Sequence, residues 1–163
     1  MNKINCEIFF NKLYEDEEFC QQLGKVTLSS SKLEVQLIKL LNNNSNVNNN
    51  LYNSTLGSLI TKTKKENILT KNTIEALKLL SEQRNYLTHN IYSILSNDLD
   101  DNTLINSKKE HEIIKKNLLQ TTSEEKSELL YSDTQLYIER AYILVENLNG
   151  MIEIIEKYNK GEK

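Results

Sequence analysis

The chain has 163 residues, of which 38% are hydrophobic and 26% are charged, and its formal net charge is −3. This composition is ordinary for a globular domain with one core, and the net charge argues against overall electrostatic attraction to nucleic acid. Proline is absent and only four residues are glycine. The commonest helix breakers are therefore scarce, which disfavours sandwich, barrel and glycine-rich phosphate-loop folds. We predict an all-α fold and a single domain over 1–163.

The first half of the chain predicts two longer helices and a short one. Apolar residues at helical spacing predict a first helix over about 4–23. The serines at 29–31 suggest an N-cap for a second helix, whose leucines fall on one face over 33–41. The asparagine-rich stretch NNNSNVNNN at 42–50 ends that helix and is predicted to be a solvated loop. The stretch 51–60 is predicted to be a short helix or a turn.

The second half predicts the longest helices. Asn72, with Glu75 three residues later, resembles a capping box that starts a helix reaching residue 97. A modest helix is expected around 106–120. A final helix of about 30 residues should begin near Thr122, because apolar residues recur along it at heptad spacing. Four principal antiparallel helices with additional short helices would form a bundle. The heptad positions are Leu130, Tyr137, Leu144, Met151 and Tyr158, with Ala141, Leu148 and Ile155 at the offset positions.

The positions of the cysteines and the hydropathy of the chain indicate the cellular compartment in which the protein is expected. Cys6 and Cys20 have neither the spacing of a metal-binding pair nor a nearby histidine. Buried thiols in a reducing compartment are therefore favoured over a disulfide or a metal site. The sequence contains no run of 18 apolar residues, and its first residues lack the apolar stretch of a signal peptide. We expect a cytoplasmic protein with no membrane association, no metal and no cofactor.

The stretch SEQRNYLTHNIY at 81–92 departs from a simple packing pattern. Arg84 falls in the middle of an apolar stripe, while Asn85, His89 and Tyr92 follow a neighbouring face. The chain has two arginines against eighteen lysines, so a guanidinium here suggests a need for a planar fork of donors, as in phosphate binding. The alternative is structural: Arg84 paired with an acid such as Glu34, and a histidine that caps or fills a groove.

Arg84-Asn85-Tyr86-Leu87-Thr88-His89 resembles the R-x(4–6)-H motif of the HEPN superfamily, which comprises four-helix-bundle domains common in prokaryotic toxins, phage-defence systems and RNA-processing ribonucleases. The resemblance implies a metal-independent endoribonuclease with Arg84, His89 and Asn85 in the catalytic site. It also implies a homodimer that pools two such motifs, and an antitoxin or other defence-system protein as a partner. Tyr92 lies three residues after the histidine, whereas one toxin branch of the family has a tyrosine two residues after it.

Regular helix geometry supports the expectation of a dimer. Five residues of an ideal α-helix rotate by about 140° and rise by about 7.5 Å, so Arg84 and His89 of one chain would not share a face. Local charge permits RNA binding, because six basic and three acidic residues lie between positions 60 and 90. We predict that Lys71, Lys78 and Tyr92 contact RNA. Two alternatives stay open: a non-catalytic HEPN-like bundle that binds a partner protein, nucleotide or RNA, and an unrelated bundle in which the motif arose by chance.

Overall fold

The computed structural model describes residues 10–44, 50–90 and 123–162. Within these ranges the regular structure is entirely helical and includes no strand, which confirms the all-α prediction. Residues 10–15 form a short helical segment. The longer helices are α1 (Glu17–Asn44), α2 (Leu56–Lys65), α3 (Lys71–Asn85) and α4 (Ser123–Asn159), and a π-helical turn (Tyr86–Asn90) follows α3 directly.

The helix α1 replaces most of the first two predicted helices. Its start is defined by Asp16, whose carboxylate Oδ1 accepts a hydrogen bond of 2.7 Å from the backbone N–H of Phe19, as expected of an N-cap. The predicted N-cap at 29–31 is wrong, since these serines lie inside the continuous helix. The hydroxyl of Ser29 donates to Oδ1 of Asn149 on α4 at 2.9 Å. This side chain therefore makes a tertiary hydrogen bond where the sequence predicts a helix cap.

Threonines start the next two helices. Thr55 caps α2, with its hydroxyl accepting from the backbone N–H of Ser58 at 3.2 Å. The hydroxyl of Thr70 accepts from the N–H of Thr73 at 3.2 Å, and α3 begins at the next residue. Asn72, the predicted cap, therefore lies inside α3. Both side chains suit a cap, and the chain uses the one two positions earlier.

Other boundaries also differ from the sequence predictions. Positions 42–44 of the predicted asparagine-rich loop belong to the last turn of α1. The helix predicted to reach residue 97 changes to a π-turn after residue 85. Its remaining part, and the helix predicted around 106–120, lie outside the described residues. The final helix begins at Ser123 and has 37 residues, which confirms the predicted start near Thr122.

The chain divides into two compact units. The first unit comprises Met1–Gly24 and Asn85–Tyr142, and the second comprises Lys25–Arg84 and Ile143–Lys163. In the second unit the apolar stripes of all four helices are buried. Their fully or almost fully buried side chains include Val26, Leu33, Leu37, Leu56, Leu59, Leu77, Leu148 and Ile155.

In the second unit α1 and α4 run in the same direction, because their contacts advance together along both helices. Ser29 bonds to Asn149, and Nε2 of Gln36 donates to the Glu156 carboxylate at 3.4 Å. One turn further along α4, the Asn159 amide donates to both the backbone carbonyl and the side-chain oxygen of Gln36, each at 3.1 Å. The sequence predicts antiparallel neighbours, but that rule applies to helices joined by short loops, which these two are not.

The described residues of the first unit also include buried side chains. Phe19 of α1 is buried, as are Tyr86 and Leu87 of the π-turn and Tyr137 and Ala141 of α4. The predicted heptad stripe of α4 is thus buried wherever the structure describes it in this unit. The predicted burial of Cys20 is wrong: this thiol is exposed and free, and it donates to the backbone carbonyls of Leu13 and Tyr14.

Hydropathy places no membrane span in the described part of the chain. None of its helices combines the length and the apolar character that crossing a bilayer requires.

Candidate functional site

Arg84 lies in the last turn of α3, where the apolar stripe of the helix approaches its end. The flanking stripe residues Leu77, Leu80 and Leu87 are buried, as the sequence predicts. The side chain of Arg84 is 17% exposed, and its Nη2 lies 3.6 Å from Oε1 of Glu34 on α1. Glu34 is the acid that the sequence predicts as a possible partner of Arg84, and the structure shows this ion pair. A phosphate that bound Arg84 would have to share the guanidinium with Glu34 or displace it.

The π-turn begins two residues after Arg84 and contains His89. It covers Tyr86–Asn90, a rare conformation that proteins use mostly as single turns and frequently at functional sites. The rotation of about 140° between positions 84 and 89 assumes a regular α-helix, and it does not apply to a segment that contains this wider turn. Arg84 belongs to the second unit and His89 to the first.

The other predicted site residues on α3 are exposed. Lys71, Lys78 and Asn85 follow one another at intervals of seven residues, so the two lysines lie on one solvent-facing stripe of the helix. Lys71 forms an i, i+4 ion pair with Glu75, with 3.9 Å between Nζ and Oε1. Glu75 and Glu82 are exposed on the same helix and reduce its positive charge. Tyr92 and His111 lie outside the described residues.

Two residues outside the predicted site contact the motif directly. The sequence predicts Glu34 only as a structural partner of Arg84, and Tyr137 only as a core position. The hydroxyl oxygens of Tyr86 and Tyr137 are 2.5 Å apart, and both side chains are buried. A tyrosine at a core heptad position was the available signal, because a buried phenol usually needs a hydrogen-bond partner.

A groove in the second unit is lined by residues outside the predicted site. Its volume is about 470 Å³, and its lining residues are Ile68, Thr70, Ile154, Lys157, Tyr158 and Glu162. Within the described ranges, histidine, cysteine, aspartate and glutamate side chains do not gather in groups of three or more that could hold a metal ion.

Comparisons with protein-family models, with curated proteins and with solved structures find no match for this chain.

Proposed function

We propose that this chain is a metal-independent endoribonuclease of the HEPN type that acts as a toxin or phage-defence effector. The observation that carries the proposal is the π-turn. It replaces regular helix at Tyr86–Asn90, within the stretch that resembles the family motif. A π-turn is rare in proteins and is frequent at functional sites. The stripe residues before it continue at regular helical spacing.

In the proposed reaction the 2′-oxygen of a ribose attacks the adjacent phosphorus. The 2′-O–P bond forms and the P–O5′ bond breaks, which leaves a 2′,3′-cyclic phosphate and a 5′-hydroxyl. His89 of one protomer takes the 2′-hydroxyl proton as general base, and the same residue of the second protomer protonates the leaving O5′ as general acid. Arg84 stabilises the negative charge that develops on the phosphorane. Two motifs thus supply both proton transfers, and this is why we propose a homodimer.

The remaining residues have supporting roles in this proposal. Asn85, which is exposed and four residues before His89, orients the imidazole or binds phosphate. Lys71 and Lys78 hold backbone phosphates along the exposed stripe of α3, and Tyr92 contacts the RNA next to the histidine. An antitoxin or other defence-system protein would restrain the activity in the cell.

The experiment is RNA cleavage by purified protein in excess EDTA. Wild type should yield cyclic-phosphate and 5′-hydroxyl ends on RNA and should leave DNA intact, because DNA lacks the attacking oxygen. His89→Ala should lower the rate by about 10²–10⁴-fold. Arg84→Lys should also lose activity, since an ammonium keeps the charge but loses the planar fork. The control is His111→Ala, which changes the other histidine of the chain and should leave the rate unchanged. A His89→Ala protein as active as wild type would refute the assignment.

The Arg84–Glu34 ion pair favours a second candidate, a non-catalytic bundle that binds a partner protein, nucleotide or RNA. In such a protein Arg84 serves the fold, in part through its 3.6 Å contact with Glu34. RNA that binds but stays intact, together with Arg84→Lys and His89→Ala proteins that bind it as wild type does, would select this candidate.

A further inference from the structure

The two tyrosines beside the π-turn form a buried polar contact between distant parts of the chain. Tyr86 and Tyr137 are 51 residues apart, and their hydroxyl oxygens approach to 2.5 Å. Their rings are nearly parallel, with 6.0 Å between centroids and 11° between planes. Tyr137 is fully buried and Tyr86 is 7% exposed. Both belong to the first unit, as does His89.

The hydrogen bond and the ring stacking between Tyr86 and Tyr137 both depend on one relative position of the two side chains. A buried hydroxyl without a hydrogen bond costs about 1–3 kcal/mol in proteins, so each phenol stabilises the position of the other. Stacked aromatic rings add about 0.5–1.5 kcal/mol beyond their burial. A shift of either ring by 1 Å would lengthen the hydrogen bond and disturb the stacking. The pair therefore holds the backbone at Tyr86 to α4 more firmly than apolar packing would.

Because Tyr86 lies in the π-turn, its contact with Tyr137 also restrains the backbone of the motif. Tyr86 is the first residue of the π-turn, and Leu87, the second, is also buried. His89 lies three residues after Tyr86 in the same turn. The beginning of the turn is thus held by two buried side chains, and the backbone that carries His89 starts from that point.

We infer that Tyr86 and Tyr137 are positioning residues for His89: their hydroxyl pair holds the backbone of the π-turn that carries His89 in the conformation that catalysis requires. The inference rests on the proposed ribonuclease function and extends it to α4, which contributes no residue to the family motif. Neither tyrosine contacts the reacting atoms in this scheme. Both act through the backbone of the turn.

The test removes one hydroxyl at a time and keeps the rings. In Tyr137→Phe and Tyr86→Phe proteins, kcat on RNA should fall by about 10- to 100-fold, because a displacement near 1 Å of a catalytic group has an effect of that size. KM should stay unchanged, since the exposed lysines that bind phosphate are untouched. The double variant should lose less than the product of the two single losses, because both changes remove the shared hydrogen bond. All rates are divided by the folded fraction measured by circular dichroism.

Tyr142→Phe is the matched control. It makes the same chemical change on the same helix, five residues later, and removes a hydrogen bond of 2.7 Å from the Tyr142 hydroxyl to Glu18. This tyrosine is 41% exposed and lies outside the π-turn, so kcat should stay at the wild-type value. Equal losses in Tyr142→Phe and Tyr137→Phe, or a loss that vanishes after division by the folded fraction, would overturn the inference.

A second measurement needs no enzymatic activity. In a His111→Ala background, His89 is the only histidine and gives a single set of imidazole NMR signals. Tyr137→Phe should shift or broaden these signals, and Tyr142→Phe should leave them in place. If wild-type protein does not cleave RNA but the His89 signals respond to Tyr137→Phe, the proposed ribonuclease activity is contradicted and the positioning of His89 by the tyrosines is supported. Active wild-type protein with unchanged signals and unchanged kcat in Tyr137→Phe would contradict the positioning role alone.

Discussion

Glu34→Gln should lower stability and at the same time favour phosphate binding at Arg84. The substitution keeps the shape of the side chain and removes its charge. At 3.6 Å and an effective dielectric constant of about 20, two unit charges attract by roughly 4–5 kcal/mol. Desolvation and side-chain ordering offset most of this attraction, so exposed pairs contribute about 0–1 kcal/mol while losing one partner of a buried pair costs about 3–5 kcal/mol.

The Arg84–Glu34 pair lies between these limits, since its side chains are 17% and 29% exposed. We therefore expect Glu34→Gln to lower the free energy of unfolding by about 1–2 kcal/mol. For a chain of this length that corresponds to a fall in Tm of about 2–8 °C. The measurement is differential scanning calorimetry in a buffer without phosphate or sulfate.

Inorganic phosphate provides the second arm of this experiment. A ligand that binds only the folded protein raises its stability by mass action. With the negative charge of Glu34 removed, millimolar phosphate should raise the Tm of Glu34→Gln more than that of wild type. Glu75→Gln is the control, because the Lys71–Glu75 pair is 88% and 62% exposed and its loss should cost less than about 0.5 kcal/mol. Unchanged stability in Glu34→Gln, or equal phosphate effects in both proteins, would refute the reasoning.

Three further predictions concern the core, a titration and the assembly. Leu148→Ala should lower the free energy of unfolding, measured in urea, by about 2–5 kcal/mol, since Leu148 is fully buried. The control is Leu28→Ala: Leu28 is 73% exposed, so the change should be less than about 0.5 kcal/mol. The pKa of Tyr142 is raised above its ordinary value, first by its hydrogen bond to Glu18 and then by desolvation and the negative charge of Glu18; Glu18→Gln should lower it in an ultraviolet phenolate titration. The stability that the protonated Tyr142 gains from Glu18 is complete below the ordinary tyrosine pKa and is lost as the pH rises through the folded-state pKa. A Tyr142 titration that is the same in Glu18→Gln and wild type would contradict this prediction. Light scattering should show a homodimer at micromolar concentration, and a monomer would count against the paired-motif site.

The buried stripes could be predicted from the sequence because they depend on local periodicity. The α4 positions Tyr137, Leu144, Leu148 and Ile155 repeat at helical intervals, and the structure buries all of them. Burial follows from such a pattern whatever the partner helix is.

Helix boundaries were harder to predict, because they depend on competition between equally suitable residues and on distant contacts. Thr70 and Asn72 both suit an N-cap, and nothing local decides between them. The serines at 29–31 look like a cap, but Ser29 bonds to a residue 120 positions away. Such a contact has no signature in a single sequence.

The sequence also predicts only part of the candidate site. An acid partner for Arg84 could be named from the sequence, because a half-buried guanidinium requires one. The hydroxyl contact between Tyr86 and Tyr137 could not, since it depends on how distant segments pack. The π-turn was also missed, because apolar spacing in the first part of the motif is the same as in a regular helix.

The parallel pairing of α1 with α4 has a consequence for the rate of folding. Ser29, Gln36 and their partners on α4 are separated by 120 to 123 residues along the chain. Helical proteins usually fold quickly because most of their contacts are local, and folding slows as contacts become more distant in sequence. Here the two helices can pair only after the ends of a long chain segment have met, which has an entropic cost. Folding should therefore be slower than in a helical bundle of the same length built from neighbouring hairpins, and the α1–α4 contacts should form last.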